Sequence, residues 1–453
     1  MGTPTISDQR PHPSPPQRST NNRLPLVIVG SLLAGLAVAA VLVVVPILPA
    51  QENVLTGAAL LGFALGWALL AVLSVRLTDQ PQRWAAAPAT FLAVSGIVAI
   101  GGSDPVEAVF AWLWPPALLV LVVWMFRQIG RQIASRGARW LLYPITMVLA
   151  AAAIGGGYET VREALDARAY PPPGELVDIG GRRLHLSCVG AGSPTVILEP
   201  GLGASSADMS WIAPVVARDT RTCVYDRAGR GWSDPVDDPQ DADQIAADLH
   251  TLLTEAQVDG PYVLAGHSFG GLYVRDFAAQ FPDQVAGLVL LDSTASRVRP
   301  SAVNAQAPTV GRVLTVVPAV AHLGVGRILA SSDYESLPAG VQAEARANAS
   351  TSRQLASTLQ EYREGATSVQ QASALTDLGD KPLIVLTAGV GHNPAWQSAQ
   401  TKLAALSTNS LHRTAADTTH VSMLQDQADS AAATQAVRDV VASVRSGKPL
   451  PTR

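Results

Sequence analysis

The stretch GPYVLAGHSFGG, from Gly260 to Gly271, is an apolar run that ends at a serine between glycines. Gly266, Ser268 and Gly270 fit the pattern Gly-x-Ser-x-Gly, in which a serine occupies a sharp turn between a strand and a helix. Such a turn strains the serine backbone and exposes its hydroxyl, and residues two positions away come too close for a Cβ atom. The stretch therefore predicts a strand, a nucleophilic Ser268 and a helix, in that order.

Short apolar or β-branched runs recur on both sides of this turn, and helical patterns separate several of them. The runs are ELVDIG, RRLHLSCVG, PTVILEPG, TRTCVYDRAG, PYVLAGHS, AGLVLLDST, PLIVLTAG and LHRTAADTTH. Gly180-Gly181 between the first two signals a hairpin, and the later runs alternate with helical patterns such as DADQIAADLHTLLTEAQ. This order predicts an α/β fold with a mainly parallel eight-stranded sheet that helices cover on both faces.

A long insertion separates the sixth run from the seventh. A structureless loop of about 85 residues is unusual within a compact domain, so we expect a small helical cap at about 296–375. The insertion includes an apolar stretch at 310–330 and a polar helical pattern, SRQLASTLQEYREGA. A cap over a sheet edge often shields a pocket, although a helical excursion without a lid role fits the same pattern.

Two histidines downstream of Ser268 could act as its base. Serine at its ordinary pKa is a weak nucleophile and needs a base that a third group orients. With this turn the partners follow in the order serine, acid, histidine. His420, in DTTHVSM after the last predicted strand, is the expected base, and His392 in AGVGHNPAW is the alternative. His267 adjoins the nucleophile in the chain and is expected to point away from it.

Three aspartates compete for the role of the acid. Asp292 ends the strand AGLVLLDST, whereas the loop after PLIVLTAG holds no acidic residue until well beyond Trp396. We therefore predict Asp292. Asp417 is the alternative, although it lies only three residues before His420, which makes it hard for its carboxylate to reach behind the imidazole. Asp380 precedes its strand and lies at the opposite edge of the sheet.

Acyl transfer also needs backbone donors aimed at the oxyanion of the tetrahedral intermediate. The amide of Phe269, directly after the nucleophile, is expected to be one. The other is expected in EPGLG, where Leu202 is the choice and Gly201 and Gly203 are alternatives. A tight turn alone would also explain these glycines.

The first third of the chain is apolar enough for a membrane domain. A helix needs about 20 apolar residues to cross the hydrocarbon core, and five segments meet or approach that length: 24–49, 54–75, 84–101, 106–126 and 140–157. The mean hydropathy of the whole chain is +0.22 and only 15% of its residues are charged. Buried helices of a soluble bundle would need polar faces, which these segments lack.

Arginines flank these segments on alternate sides. They are Arg10, Arg18 and Arg23 before the first, Arg76 and Arg83 before the third, and Arg127, Arg131, Arg136 and Arg139 before the fifth. Because positive loops stay in the cytoplasm, the pattern predicts a multi-pass protein of the cell membrane with a cytoplasmic N-terminus. Everything after Gly157 is then extracytoplasmic.

The predicted layout has five parts. A disordered cytoplasmic N-terminus (1–23) precedes a transmembrane domain of about five helices (24–157), a proline-rich linker (158–173), the α/β domain (174–446) and a disordered tail (447–453). After residue 157 the chain holds 23 basic and 31 acidic residues, a net charge of −8. This charge argues against a nucleic-acid partner, which would need clustered positive charge.

Several motifs together resemble the α/β-hydrolase superfamily, in particular bacterial serine hydrolases. They are EPGLG, YDRAGRGWSD from Tyr225, GHSFGG, LVLLDS and the terminal histidine. The resemblance covers about 174–446 and implies structural roles for Asp226 and Arg227 in the turn after the fourth strand. The chain departs from the common pattern in Pro200, where many relatives have histidine, and in an acid that lies one strand earlier.

The resemblance also bears on the two cysteines. In this fold the second and fourth strands are neighbours, which makes a disulfide between Cys188 and Cys223 plausible outside the cytoplasm; two buried free thiols are the alternative. No Cys/His cluster has metal-ligand spacing, so neither a metal nor another cofactor is expected.

These observations predict a membrane-anchored serine hydrolase that cleaves an ester-type acyl bond of a small-molecule or lipid substrate, with a lipophilic or envelope substrate expected. Two alternatives stay open. A proline-iminopeptidase-like peptidase would need acidic cap residues to hold an amine, and the candidates are Glu335, Glu344, Glu361 and Glu364. A non-catalytic membrane sensor or scaffold would have no chemical need for all three triad residues.

Overall fold

The computed structural model describes residues 23–236, 239–295, 308–330 and 334–451. Residues 1–22 of the predicted disordered N-terminus (1–23) and the first part of the predicted cap, 296–307, lie outside these residues. Within them, an N-terminal helical bundle precedes an α/β domain.

Five helices in the first third are long and apolar enough to cross a membrane. They are α1 (Leu24–Val44), α2 (Glu52–Leu77), α3 (Ala86–Gly101), α4 (Asp104–Gln132) and α5 (Arg136–Ala169), with a 3-10 turn at Arg83–Ala85 before α3. Helices α1 and α2 pack through small residues: a Cβ atom on Gly35 would lie 2.6 Å from the Cα of Gly66. Small residues at such a crossing let apolar helices approach closely.

Helix α5 extends beyond the predicted fifth span. The interval predicted as a linker, 158–173, is helical as far as Ala169, and only the three prolines that follow end the helix. The charges of this stretch set it apart from a membrane span, but Glu159 and Asp166 both pair with Arg327 of the cap, at 2.7 Å each. The prediction was wrong because a partner 160 or more residues away stabilises these charges on a helix.

The α/β domain contains the predicted eight-stranded sheet, which confirms the fold class. Its strands are β1 (Glu175–Asp178), β2 (Arg183–Val189), β3 (Thr195–Glu199), β4 (Thr222–Tyr225), β5 (Tyr262–His267), β6 (Val285–Leu291), β7 (Leu383–Val390) and β8 (Ser410–Thr419). The spatial order is β1-β2-β4-β3-β5-β6-β7-β8. Strands β1 and β2 are antiparallel to their neighbours and the others are parallel. The carboxyl ends of the parallel strands therefore meet at one edge, where ligands bind in open α/β sheets.

Helices cover both faces of the sheet. They are α6 (Ala213–Val216), α7 (Ala242–Glu255), α8 (Gly270–Gln280), α14 (Pro394–Ala404), α15 (Ser422–Gln425) and α16 (Ser430–Ser446), with 3-10 turns at Ser206–Met209 and Pro282–Gln284. Successive strand residues point to opposite faces, so Leu264 packs with Phe277 of α8 on one side and Val263 packs with Val437 of α16 on the other. Both faces of the central strands are thus buried.

The C-terminal residues pack onto the domain instead of forming the predicted tail at 447–453. Gly447 has φ +62 and ends α16 in the left-handed conformation. Leu450 is 5% exposed and its N–H donates to the Asn409 side chain at 2.8 Å. Residues 452–453 lie outside the described part. The predicted disordered tail was wrong because the side chain of Leu450 packs in the core of the domain.

The described part of the insertion between β6 and β7 is helical. It comprises α9 (Pro308–Thr315), a 3-10 segment (Pro318–Leu323), α10 (Val325–Leu329), α11 (Ala339–Ala349), α12 (Ser352–Arg363) and α13 (Gly365–Ala372). Its apolar first part lies against the N-terminal helical bundle, because Arg312 donates to the carbonyl oxygens of Val43 and Leu48 at 2.8 Å each. Helices α12 and α13 lie against the α/β domain, where Gly365 adjoins the Phe269 ring. The cap therefore joins the helical bundle to the α/β domain.

Candidate active site

Ser268 stands at the turn between β5 and α8. Its φ is +54, the left-handed region that a non-glycine residue rarely occupies. The turn is held by the Ser268 N–H, which donates to the Leu291 carbonyl at 3.1 Å. A Cβ atom on Gly266 would collide with the backbone of Gly270, and one on Gly270 would collide with the carbonyl of Glu199. The two glycines thus allow the backbone approach that a Gly-x-Ser-x-Gly turn requires.

A continuous chain of hydrogen bonds links the three residues predicted for the triad. Ser268 Oγ lies 2.9 Å from Nε2 of His420, and Nδ1 of His420 lies 2.6 Å from Oδ2 of Asp292. His420 is about one-third exposed, whereas Asp292 is fully buried. This geometry lets the imidazole accept the serine proton while the carboxylate orients it and stabilises its positive charge.

Asp292 receives more hydrogen bonds than a triad requires. Oδ1 accepts from the indole N–H of Trp396 at 2.9 Å and the backbone N–H of Ala388 at 3.2 Å. Oδ2 lies 2.5 Å from Nε2 of His392 in addition to its bond with His420. Burial by itself raises the pKa of Asp292, but hydrogen bonds from His420, Trp396 and His392 outweigh it and hold that pKa below its ordinary value. The Asp292 carboxyl group is therefore ionised at neutral pH and can stabilise a positive charge on His420.

The alternative candidates for the base and the acid do not take the places of His420 and Asp292 in this chain of hydrogen bonds. His392 contacts Asp292 and stacks on the Trp396 ring at 4.6 Å, and it has no hydrogen bond to Ser268 among the described residues. Asp417 and Asp380 are both exposed, and neither contacts His420 within the described part of the chain. The sequence did not indicate that His392 and Trp396 bond Asp292, because about 100 residues separate them from that aspartate.

His267 has no hydrogen bond to the Ser268 hydroxyl among the described residues, but it contacts His420. Its Nε2 donates to the backbone carbonyl of His420 at 2.9 Å, and the two rings lie 4.5 Å apart. A carbonyl only accepts, so the proton of neutral His267 resides on Nε2. Burial, assisted by the nearby His420, lowers the pKa of His267 to about 3. His267 therefore stays neutral at physiological pH and holds the His420 backbone in place.

This low pKa predicts a loss of stability in mild acid. The pKa of His267 is lower in the folded protein than in the unfolded chain, so below pH ~6.5 the unfolded chain binds a proton that the folded protein does not. The free energy of unfolding should fall by about 2 kcal/mol between pH 7 and pH 5 from this residue alone. Asp292 affects the free energy of unfolding only at lower pH. Its pKa is depressed in the folded protein, and the unfolded chain protonates this residue only below pH ~4.

The measurement is denaturant unfolding of the full chain in detergent at both pH values, for wild type and His267→Gln. Glutamine can still donate to the His420 carbonyl but does not titrate. The variant should lose about 2 kcal/mol less on acidification. Equal losses in the two proteins would contradict the assigned protonation state of His267.

Two backbone amides beside Ser268 are unused. Among the described residues, neither the Phe269 N–H nor the Leu202 N–H donates a hydrogen bond. The loop that carries Leu202 lies against the nucleophile, because a Cβ atom on Gly201 would be 3.0 Å from the Ser268 Cβ. Free donors at this position fit an oxyanion site.

Arg227 orients this loop. Its guanidinium donates to the carbonyl oxygens of Pro200 at 2.9 Å and Gly201 at 2.8 Å, and it also bonds Glu199 and Glu361. These bonds fix the direction of two carbonyls of the loop. Arg227 lies in the turn after β4, as the resemblance implied, and it joins this turn to cap helix α12 and to the loop at 200–203, here called the oxyanion loop for its predicted role.

Asp226 has a separate structural role. Its carboxylate lies 2.7 Å from Nδ1 of His185 and accepts the N–H of Ser206 at 2.7 Å. Burial raises its pKa, but the contact with His185 and the bond from Ser206 outweigh burial and leave the pKa below its ordinary value. Asp226 thus ties β2 to the 3-10 turn after the oxyanion loop.

Within the part of the chain that the structure describes, one group of residues has the geometry to hold a metal ion. Asp292, His392 and His420 each offer one ligand atom, and these atoms lie within 4.8 Å of one another. Sequence spacing could not predict this set. However, Nδ1 of His420 and Oδ2 of Asp292 already bond each other, so an ion there would compete with the hydrogen bond that orients the imidazole. The expectation of a metal-free site stays a prediction.

Cys188 and Cys223 are directly opposite each other on β2 and β4. Their sulfur atoms are bonded at 2.04 Å. The antiparallel register places the two residues together, and a protein outside the cytoplasm can keep such a bond oxidised.

Comparisons with known proteins agree with this fold. Residues 196–434 match the alpha/beta hydrolase family, and because the match covers more than half of the chain, the protein belongs to that family. An uncharacterized protein of Schizosaccharomyces pombe is 29% identical over 214 residues, which are 41% of this chain and 38% of that protein. An uncharacterized vacuolar membrane protein of Saccharomyces cerevisiae is 30% identical over 130 residues, 24% of this chain and 20% of that protein.

The chain thus spans well under half the length of these curated relatives. Among solved structures, the enol-lactonase from Burkholderia xenovorans is 19% identical, and the match covers 59% of this chain and 100% of that chain with a TM-score of 0.46.

Proposed function

We propose that this protein is a membrane-anchored serine hydrolase that cleaves an ester-type acyl bond. The observation that carries the proposal is the unbroken chain of hydrogen bonds from Ser268 Oγ through His420 to Asp292. The unused amides of Phe269 and Leu202 beside it support acyl transfer in particular. Family membership supports hydrolysis but does not choose the bond or the substrate.

The mechanism follows from the positions of these groups. Ser268 Oγ attacks the acyl carbonyl carbon while Nε2 of His420 takes the serine proton. The carbonyl oxygen becomes an oxyanion that the Phe269 and Leu202 amides stabilise. As the tetrahedral intermediate collapses, the bond to the leaving alcohol breaks and His420 returns the proton to that alcohol. Water then repeats the sequence on the acyl-enzyme, which releases the acid and restores the serine hydroxyl.

The alternatives have weaker support. A peptidase that holds a substrate amine would need a cap carboxylate facing the site, yet Glu361 is buried between Arg227 and Arg230. Both guanidiniums hold the pKa of Glu361 below its ordinary value although burial alone would raise it. A sensor or scaffold would gain nothing from a strained serine at hydrogen-bond distance from a histidine.

The proposed location is the membrane, with the hydrolase domain outside the cytoplasm. All five helices have the length and apolar character of spans. Arginines occur in every second loop between them, so all these arginines fall on one side of the membrane, the cytoplasmic side. A relative described as a vacuolar membrane protein has the same kind of location. An anchored domain beside apolar helices supports a lipophilic acyl substrate.

Labelling with a membrane-impermeant fluorophosphonate tests both parts of this proposal. We expect intact cells that express the full chain to label it, with the adduct on the peptide that contains Ser268. Labelling only after cell lysis would overturn the topology and leave the hydrolase in place. An unlabelled protein in both samples would contradict the serine hydrolase itself.

A further inference from the structure

A cavity of about 1800 Å³ lies between the helical bundle and the cap. Ligand pockets for small molecules usually have volumes of about 300–1,000 Å³, so this cavity suits a larger ligand. Its walls come from all five membrane-length helices, from α12 and the 3-10 segment of the cap, and from loops of the α/β domain. None of the triad residues lines it, which separates it from the site described above.

The part of the cavity between the helices is apolar. Its walls include Leu33 of α1, Phe63 of α2, Trp112 of α4 and Val148 of α5. The apolar lining on α5 runs from Leu141 to Gly156, which at about 1.5 Å per residue is roughly 22 Å. This length approaches the thickness of a bilayer hydrocarbon core, about 30 Å. The apolar part therefore suits acyl chains better than a compact solute.

The opposite part of the cavity is polar and contains two arginines of α12. Arg363 donates to the Thr315 hydroxyl at 3.0 Å, and Arg353 makes two long bonds of 3.4 Å to the backbone carbonyls of Gly231 and Ser233. Within the described part of the chain neither guanidinium forms an ion pair. Both line the cavity and have donors left for an anion, for which arginine is well suited.

An acidic wall faces these arginines. Glu159 and Glu163 of α5 also line the cavity, and Glu159 is already paired with Arg327. A ligand at this end therefore meets cationic groups on α12 and carboxylates on α5. A phosphodiester with an attached amine or hydroxyl matches that arrangement, whereas a free fatty acid would offer nothing to the acidic wall.

We propose that this cavity binds one membrane phospholipid, with its acyl chains among the helices and its phosphate at Arg353 and Arg363. The proposal rests on the membrane insertion put forward under the proposed function, but it does not require hydrolysis. The phosphate of the proposed ligand belongs to a lipid, because the apolar and polar parts form a single cavity.

The bound lipid would lie on the other side of α12 from the catalytic site. That helix turns Arg353, Ala356 and Gln360 toward the cavity. Gln354, on its other side, donates to the Gly203 carbonyl at 2.8 Å, and a Cβ atom on Gly203 would lie 3.4 Å from Thr358. A phospholipid here therefore packs against the helix that holds the oxyanion loop, without access to Ser268.

Native mass spectrometry of the full chain in detergent tests the binding. Phosphatidylglycerol, phosphatidylethanolamine and diacylglycerol are titrated separately, and the bound fraction gives each affinity. We expect one molecule of either phospholipid per chain, and at least tenfold weaker binding of diacylglycerol, which lacks the phosphate. Inorganic phosphate at millimolar concentration should not displace the phospholipid. Displacement by phosphate, or equal binding of diacylglycerol, would overturn the proposal.

Two pairs of variants separate the parts of the site. The double variant Arg353→Gln, Arg363→Gln should weaken phospholipid binding about tenfold, whereas Lys402→Gln on the exposed surface of α14 should not. Ala152→Phe places a ring in the apolar part and should weaken binding of all three lipids. Its control, Ala151→Phe, changes an exposed neighbour on the same helix that does not line the cavity. Equal effects within either pair would contradict the assigned site.

The outcome is independent of the proposed chemistry. Ser268→Ala should bind phospholipid as the wild type does. Lipid binding without fluorophosphonate labelling would remove the proposed function and leave this inference standing. Fluorophosphonate labelling without specific phospholipid binding would overturn this inference and leave the proposed function standing.

Discussion

Ser268→Ala is expected to lower kcat for hydrolysis of a simple ester about 10⁶-fold. The variant loses the atom that forms the acyl-enzyme, and His420 loses the hydroxyl from which it takes a proton at 2.9 Å. A residual acceleration of about 10³–10⁴ over water should remain, because the unused amides of Phe269 and Leu202 can still bind an oxyanion.

The measurement is steady-state hydrolysis of a chromogenic short-chain ester by the purified full chain. Ser422→Ala is a matched control, since Ser422 is half-buried, lies two residues after His420 and bonds Thr419. The control should retain activity within a few-fold of wild type. Activity above about one per cent in Ser268→Ala would mean that another residue supplies the nucleophile.

Asp292→Asn should lower kcat about 10⁴-fold while the protein remains folded. Asparagine fills the same space but cannot accept from every donor around it, since His420, His392, Trp396 and Ala388 all bond the carboxylate. The amide also lacks the negative charge that stabilises the imidazolium. An amide N–H facing Nδ1 would moreover force the proton of His420 onto Nε2, the atom that must accept from serine.

His392→Gln distinguishes the two histidines that bond Asp292. His392 bonds the aspartate but has no hydrogen bond to Ser268 among the described residues, so its loss should lower kcat only about 10–100-fold. His420→Gln, in the same assay, should approach the loss in Asp292→Asn or exceed it. If His392→Gln were as inactive as His420→Gln, the assignment of the base would be wrong.

Two boundaries were wrong because their determinants are distant in the chain. The interval 158–173 contains charges that are uncommon in a span, yet Arg327 of the cap stabilises them on α5. The C-terminal segment is polar and short, yet Leu450 lies in the core beside Asn409. Neither partner can be chosen from the local sequence, because composition indicates whether a segment is polar but not what it will contact.

The order of strands and helices and the turn at Ser268 could be determined from the sequence alone. Their causes are local: short, continuous apolar runs predict strands that are buried on both faces, and glycines at 266 and 270 are needed wherever backbones approach that closely. Asp292 and His420 followed from their places at strand ends, because parallel strands bring those ends to one edge of the sheet.

Only the tertiary structure decided how these groups are supported. His392 and Trp396 reach Asp292 across 100 and 104 residues, and Arg227 reaches Glu361 across 134. The cavity between the bundle and α12 likewise depends on segments that are far apart in the chain. Such contacts depend on how completed elements pack, so they arise from the geometry of the whole chain, whereas the turn at Ser268 is required by a few neighbouring atoms.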